Sequence, residues 1–160
     1  MRSPRKILIP TDLSACSFEA LEYAEDISRL FTTDIILLHA IDRCDHGGKP
    51  KTRSEIDEEE FEVRKGLIHA LMERHLVPRN LKIEIVPGDA VEAIVAAVRR
   101  FQIDLVIICT HGRTGWQHAL IGSVTEKVVR LCPVPVVVVK GEETERADIY
   151  DTLRFHLHLN

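Results

Sequence analysis

Two hydrophobic periods alternate along this chain, and that alternation limits its fold more than any other feature. Lys6-Ile7-Leu8-Ile9 is a short apolar run ended by Pro10, the pattern of a buried strand. From Ala15 to Phe31 the apolar residues Phe18, Leu21, Ala24, Ile27 and Leu30 recur at helical spacing, with Ser14 or Ser17 placed to cap the helix. Asp34 to Ala40 is a second strand, and residues 42–53, with Gly47-Gly48 and Pro50 among charges, read as a mobile loop. Glu55 to His75 suits a long helix with Val63, Leu67, Ala70 and Leu71 inward; Leu81 to Val86 alternates as a half-exposed strand stopped by Pro87-Gly88. Asp89 and Glu92 form a capping box for a helix carrying Val91, Ile94, Val95, Val98 and Phe101. Leu105 to Ile108 is the most apolar strand to that point. Ser123 and Glu126 read as a second capping box, for a helix carrying Val124, Val128 and Leu131, and Val134 to Val139 closes the series after Pro133.

Strand and helix therefore alternate five times. Strands apolar at every position are covered on both faces, which predicts an α/β fold with a parallel sheet between two helical layers. Right-handed crossovers leave few ways to wind such a sheet, and ligands bind beyond the carboxyl ends of its strands, where the winding reverses. At 160 residues the chain is sized for one domain, taken here as residues 1–141 with a tail at 142–160. Its core must be aliphatic, because aromatic residues make up only 5% of the chain.

Charge narrows the function classes. Lys and Arg number 21 against 25 Asp and Glu, a net charge of −4, where a nucleic-acid binder usually carries the opposite balance. The acidic run from Glu55 to Glu60 reads as a solvated helix face. No apolar run approaches the roughly 20 residues of a bilayer span, and the apolar stretch after the basic start is too short for a signal peptide. The expectation is a cytoplasmic protein with no nucleic-acid or membrane partner. Cys16, Cys44, Cys109 and Cys132 are widely spread with no Cys-x-x-Cys pair, so reduced thiols are expected. His39, Cys44, Asp45 and His46 are metal-ligand types, but no second half of a zinc site follows, so no metal site is expected.

Two strand ends carry chemistry. The first runs into Pro10-Thr11-Asp12-Leu13-Ser14, the fourth into Cys109-Thr110-His111-Gly112-Arg113-Thr114-Gly115 and onward to Gly122-Ser123-Val124-Thr125. Gly112 and Gly115 let backbone amides approach a ligand closely, and Gly122-Ser123 opens a helix whose first amides are unpaired and whose dipole end is positive. Ser123 and Thr125 add hydroxyls, and Arg113 adds charge. This cluster suits phosphate. Asp12 would repel phosphate, so it is expected either to cap the following helix or to accept hydrogen bonds from sugar hydroxyls. His39-Ala40-Ile41, at the end of the second strand, is placed to read the edge of a base. Neither a Gly-x-x-x-x-Gly-Lys-Ser/Thr loop nor a Gly-x-Gly-x-x-Gly fingerprint is present.

At these residues, over about 4–140, the sequence resembles the universal stress protein family. The family shows a strand ending in Pro-Thr-Asp and a late signature of Gly-x-x-Gly, nine residues, then Gly-Ser/Thr; here Gly112 and Gly122-Ser123 match its second part. The run Gly122 to Val129 and the Pro-Val-Pro-Val-Val-Val-Val finish at 133–139 are also similar to the family. The resemblance implies a five-stranded sheet ordered 3-2-1-4-5, Rossmann-like and of the adenine nucleotide alpha hydrolase type. It also implies a homodimer and an adenine nucleotide, ATP or AMP, with Mg2+ accompanying ATP. By position, Asp12 would hold the ribose, Ala40 the adenine, and Gly112, Gly122, Ser123, Val124 and Thr125 the phosphates. Pro10, Thr11, Cys109, His111, Arg113 and Gly115 complete the nucleotide-binding residues expected around them.

Cys109 stands where the family signature has its first glycine. A thiol there is expected to intrude on the nucleotide, weakening it or favouring AMP over ATP, or to leave a stress-response interaction protein that holds no nucleotide. Hydrolysis is expected to be slow at most, since the loop offers His111 and Arg113 but no lysine before the helix start. Gly112-Arg-Thr-Gly115 mimics the loop of RNA-binding KH domains, but a strand precedes it here.

In the implied order Val136, Val137, Val138 and Val139 form an apolar sheet edge, which invites homodimerisation unless the tail covers it; a separate downstream protein partner is left unidentified. In the tail, Leu153, Phe155, Leu157 and Leu159 alternate with polar residues, as an extra strand would, and a disordered terminus fits as well.

Overall fold

The computed structural model describes residues 3–45, 47–110 and 121–140. Its elements run β1 (Lys6–Thr11), α1 (Ala15–Leu30), β2 (Asp34–Ile41), α2 (Arg53–Glu73), β3 (Leu81–Pro87), α3 (Ala90–Phe101), β4 (Leu105–Cys109), α4 (Ser123–Leu131) and β5 (Val136–Val139). The five strands pair in parallel, in the order β3-β2-β1-β4-β5. The order and the helices on both faces match the sequence expectation.

The period-2 geometry of each strand divides its apolar residues between two cores. Ile7, Ile9, Ile35, Leu37 and Ile107 face α1 and α2, where Phe18, Leu21, Val63 and Leu67 pack on them. Leu8, Ile36, Leu38, Val106 and Ile108 face α3 and α4, meeting Val91, Ile94, Val98 and Val128. This two-sided burial is why β1, β2 and β4 are apolar throughout.

Several local expectations change. Pro10 lies inside β1 instead of ending it, in register with Leu38 of β2. On its other side β1 pairs with β4 only at Ile7 and Leu8, so the ladder has already opened there. α2 begins at Arg53, earlier than Glu55, because Thr52 and Glu55 form a reciprocal capping box. Before it, several of the described residues are tied together by hydrogen bonds. The Asp45 carboxylate accepts from the Gly47 and Lys49 amides at 2.9 and 2.8 Å, and Cys44 and Pro50 form an antiparallel bridge. At the end of α1, Leu30 is 78% exposed. Val95 is only half-buried, because Ile94, Ala97 and Val98 make the buried stripe of α3.

The thiol expectation is overturned for one pair: Cys16 and Cys109 are joined as a disulfide across 93 residues, with Cα atoms 5.9 Å apart. Sequence distance conceals what topology arranges, since β4 adds beside β1 and its end meets the first turn of α1. Cys44 and Cys132 are free, Cys44 exposed. Among the described residues no helix is long and apolar enough to cross a membrane. The alternating tail lies outside the described residues.

Candidate functional site

The sheet's winding reverses between β1 and β4, and there the two strands part. β1 stays in register with β2 as far as Thr11, but its pairing with β4 stops at Leu8 and Val106. The gap opens a crevice of about 320 Å³ at the carboxyl ends, within the size range of small-ligand pockets.

Its first wall is the turn from β1 into α1. Thr11 Oγ1 lies 2.6 Å from Ser17 Oγ and accepts the Leu13 amide at 3.0 Å. Asp12 lines the crevice, and its Oδ1 accepts from the Ser14 amide at 3.2 Å and the Ser14 hydroxyl at 2.6 Å. The helix cap itself is Ser14, whose side chain accepts from the Ser17 amide. Asp12 therefore positions the capping residue rather than capping the helix.

The opposite wall is the start of α4. Here the expected capping box is absent: Gly122 is the N-cap, no side chain caps the helix, and Ser123 is its first residue. Helix geometry leaves the amides of Ser123, Val124 and Thr125 without carbonyl partners in the preceding turn. The Gly122 amide donates to the Thr110 carbonyl at 2.7 Å, which fixes the helix start against the end of β4. Thr125 is buried and donates its hydroxyl proton to the Cys109 carbonyl at 2.7 Å. Its side chain thus tethers α4 to β4.

Leu38 and Ala40 of β2, Ala90 and Ile94 of α3, and Ile108 complete an apolar floor. Ala40 was expected from the sequence; the other four were not. The signal for Ala90 and Ile94 was their spacing of four on one face of α3, which periodicity assigns to core as readily as to a ligand. His39 belongs to the far face of β2, where its Nδ1 lies 2.7 Å from the Thr11 carbonyl. Among the described residues no group of His, Cys, Asp and Glu is arranged to hold a metal.

The crevice thus gathers Pro10, Thr11, Asp12, Ala40, Cys109, Gly122, Ser123, Val124 and Thr125. His111, Gly112, Arg113 and Gly115 lie outside the described residues. Cys109 forms part of the wall, yet its position in β4 places it on the face of Ile107, toward α1, where its sulfur joins Cys16. Among the described lining residues Asp12 is the only carboxylate, and none is a lysine or arginine.

Known proteins share this architecture. A universal stress protein MJ0531 of Methanocaldococcus jannaschii is 30% identical over 146 residues, 88% of this chain and 85% of that protein. The solved structure of MJ0577, from the same organism, superposes with a TM-score of 0.70 at 31% identity, covering 89% of this chain and all of that one. A universal stress protein family protein of Arabidopsis thaliana, solved with AMP bound, has a TM-score of 0.57 at 17% identity, covering 91% of this chain and 98% of that one. The family model described as "Universal stress protein family" matches residues 4–140. By that match, nearly the full described length, the chain belongs to the universal stress protein family.

Proposed function

We propose that the crevice binds an adenine nucleotide, with a monophosphate such as AMP favoured, and that the protein acts as a dimeric stress-response module controlled by nucleotide occupancy. The observation that carries this reading is the uncapped start of α4, with three amides at one wall, facing Asp12 at the other. Amides and the positive helix end suit phosphate oxygens, whereas a carboxylate suits ribose hydroxyls. Ala40, Ala90 and Ile94 offer a flat apolar surface of the kind an adenine ring covers. The AMP-bound relative supports the choice of ligand.

Mg2+ would enter only with a longer phosphate chain, held by the phosphates and by Asp12. The described walls offer it no second carboxylate. That composition fits a holder of nucleotide better than a catalyst of its hydrolysis.

The test has two parts. Purified protein is denatured and its supernatant examined for adenine nucleotide, and stripped protein is titrated with AMP and ATP by calorimetry. Binding of one nucleotide per chain is expected, and Asp12→Asn should weaken it about 10- to 100-fold, the range of a lost hydrogen bond to a charged group. No released nucleotide and no heat with either compound would leave an interaction protein that uses the fold without the ligand.

A further inference from the structure

We propose that Cys16 and Cys109 are a reversible oxidation site: a dithiol that a hydroperoxide converts to a disulfide, clamping the two sides of the crevice together. The two residues come from opposite sides of the switch point. Cys16 is the second residue of α1, directly after the turn carrying Asp12, and Cys109 ends β4. Their Cα separation of 5.9 Å lies in the range that a disulfide spans without backbone movement.

The surroundings suit a bond that is made and broken. Cys16 is partly exposed and Cys109 is buried at the crevice wall, so the pair has one reachable sulfur and one sheltered one. The thiolate is the form of Cys16 that attacks peroxides. The Cys16 thiolate attacks the hydroperoxide; an S–O bond forms, the O–O bond breaks, and the alkoxide leaves and takes a proton to become an alcohol. The Cys109 thiolate then attacks the Cys16 sulfur; the S–S bond forms, the S–O bond breaks, and hydroxide leaves as water with the second proton. Two thiols are oxidised by two electrons, and the peroxide is reduced by the same two.

The consequence for the crevice rests on the nucleotide reading above. β4 is already fastened to α4 through Thr125 on the Cys109 carbonyl and Gly122 on the Thr110 carbonyl. A bond from Cys109 to Cys16 extends that fastening to the Asp12 turn, so the ribose and phosphate walls are fixed relative to each other. Oxidation pre-organises the site, and by linkage a bound nucleotide favours the disulfide.

The experiment uses the full chain with Cys44→Ser and Cys132→Ser, reduced and then treated with one equivalent of hydrogen peroxide. Differential alkylation and peptide mass spectrometry should find Cys16 linked to Cys109 and the protein lighter by two hydrogens. Excess reduced glutathione should restore both thiols. The further variant Cys109→Ser should accumulate sulfenic acid at Cys16, trapped by a dimedone-type reagent; circular dichroism checks that it is folded. A missing cross-link overturns the proposal, and so does a cross-link that glutathione leaves intact, which would mark a permanent staple. AMP affinity should be about five-fold or more higher in the oxidised form. Equal affinity in both forms overturns the clamp, whereas no AMP binding in either form overturns the nucleotide reading and leaves the oxidation chemistry standing.

Discussion

Leu13 has φ of +71°, the left-handed region that a branched side chain adopts at a cost of about 1–2 kcal/mol. The structure holds it there from three sides. Its side chain is buried among the α1-facing residues, its amide donates to Thr11 Oγ1, and the next amide donates to Asp12. The turn that results presents Asp12 to the crevice while the helix starts immediately behind it. Gly122, on the other wall, is constrained by space rather than by φ. A Cβ there would sit 3.0 Å from the Thr110 carbonyl oxygen, a backbone atom that receives the Gly122 amide. Gly122→Ala should therefore cost about 1–3 kcal/mol, as overpacking does, read as a lower denaturation midpoint. On the proposed nucleotide reading it should also weaken AMP, because α4 can relieve the contact only by shifting its amide end. An unchanged midpoint would show that the approach is looser than it looks. That these two turns open on one crevice was legible in the sequence. Their side-chain bonds were not: that Thr125 spends its hydroxyl on Cys109, or that Ser123 is not a cap, depends on the contact between α4 and β4, which no local pattern encodes.

Elements were more legible than their ends. Strand and helix alternation follows from period, and two-sided burial makes that period strong in β1, β2 and β4. Boundaries depend on specific hydrogen bonds, as at α2. The Thr52 side chain accepts from the Glu55 amide at 3.3 Å, while Glu55 accepts from the Thr52 amide and hydroxyl at 2.6 and 2.7 Å. The basic and glycine-rich approach disguised this start, because a Thr between Lys51 and Arg53 gives little signal until its partner three residues on is considered. The same bonds hold the Glu55 carboxyl below its ordinary value of 4.5, the Thr52 backbone amide being the larger cause. A carboxyl lowered on folding stabilises the native state above its unfolded pKa and loses that contribution as pH falls through the lower folded value. Thr52→Ala should cost about 1 kcal/mol near neutral pH. The deficit relative to the parent should shrink as pH falls and Glu55 takes up its proton. Denaturant unfolding at pH 7 and pH 3 measures both, and a deficit that is equal at the two values would exclude the charged half of the box.

At the scale of the whole molecule, the two edges of the sheet are protected differently, and the difference points to how copies meet. β3 carries charge along its length: Lys82 pairs with Glu84, and Arg64 from α2 donates to the Ile83 carbonyl at 2.9 Å. Such an edge resists pairing with another chain. β5 has no charged residue, and Val137 and Val138 are each 36% exposed. The neighbouring helix α4 adds Val129 and Leu131, both exposed. Apolar residues left out of both cores on one edge are most economically buried by a second copy, since a two-fold axis lets one patch cover itself. The expected outcome is a dimer in sedimentation experiments at micromolar concentration. Val138→Lys should convert it to a monomer, because a charge on an edge strand opposes pairing, while the same change at exposed Val77, far from β5 in sequence and next to β3, should not. Circular dichroism of both variants serves as the control for folding. A Val138→Lys protein that still sediments as a dimer would move the interface away from this edge and leave the exposed valines of β5 and α4 for a different protein to cover.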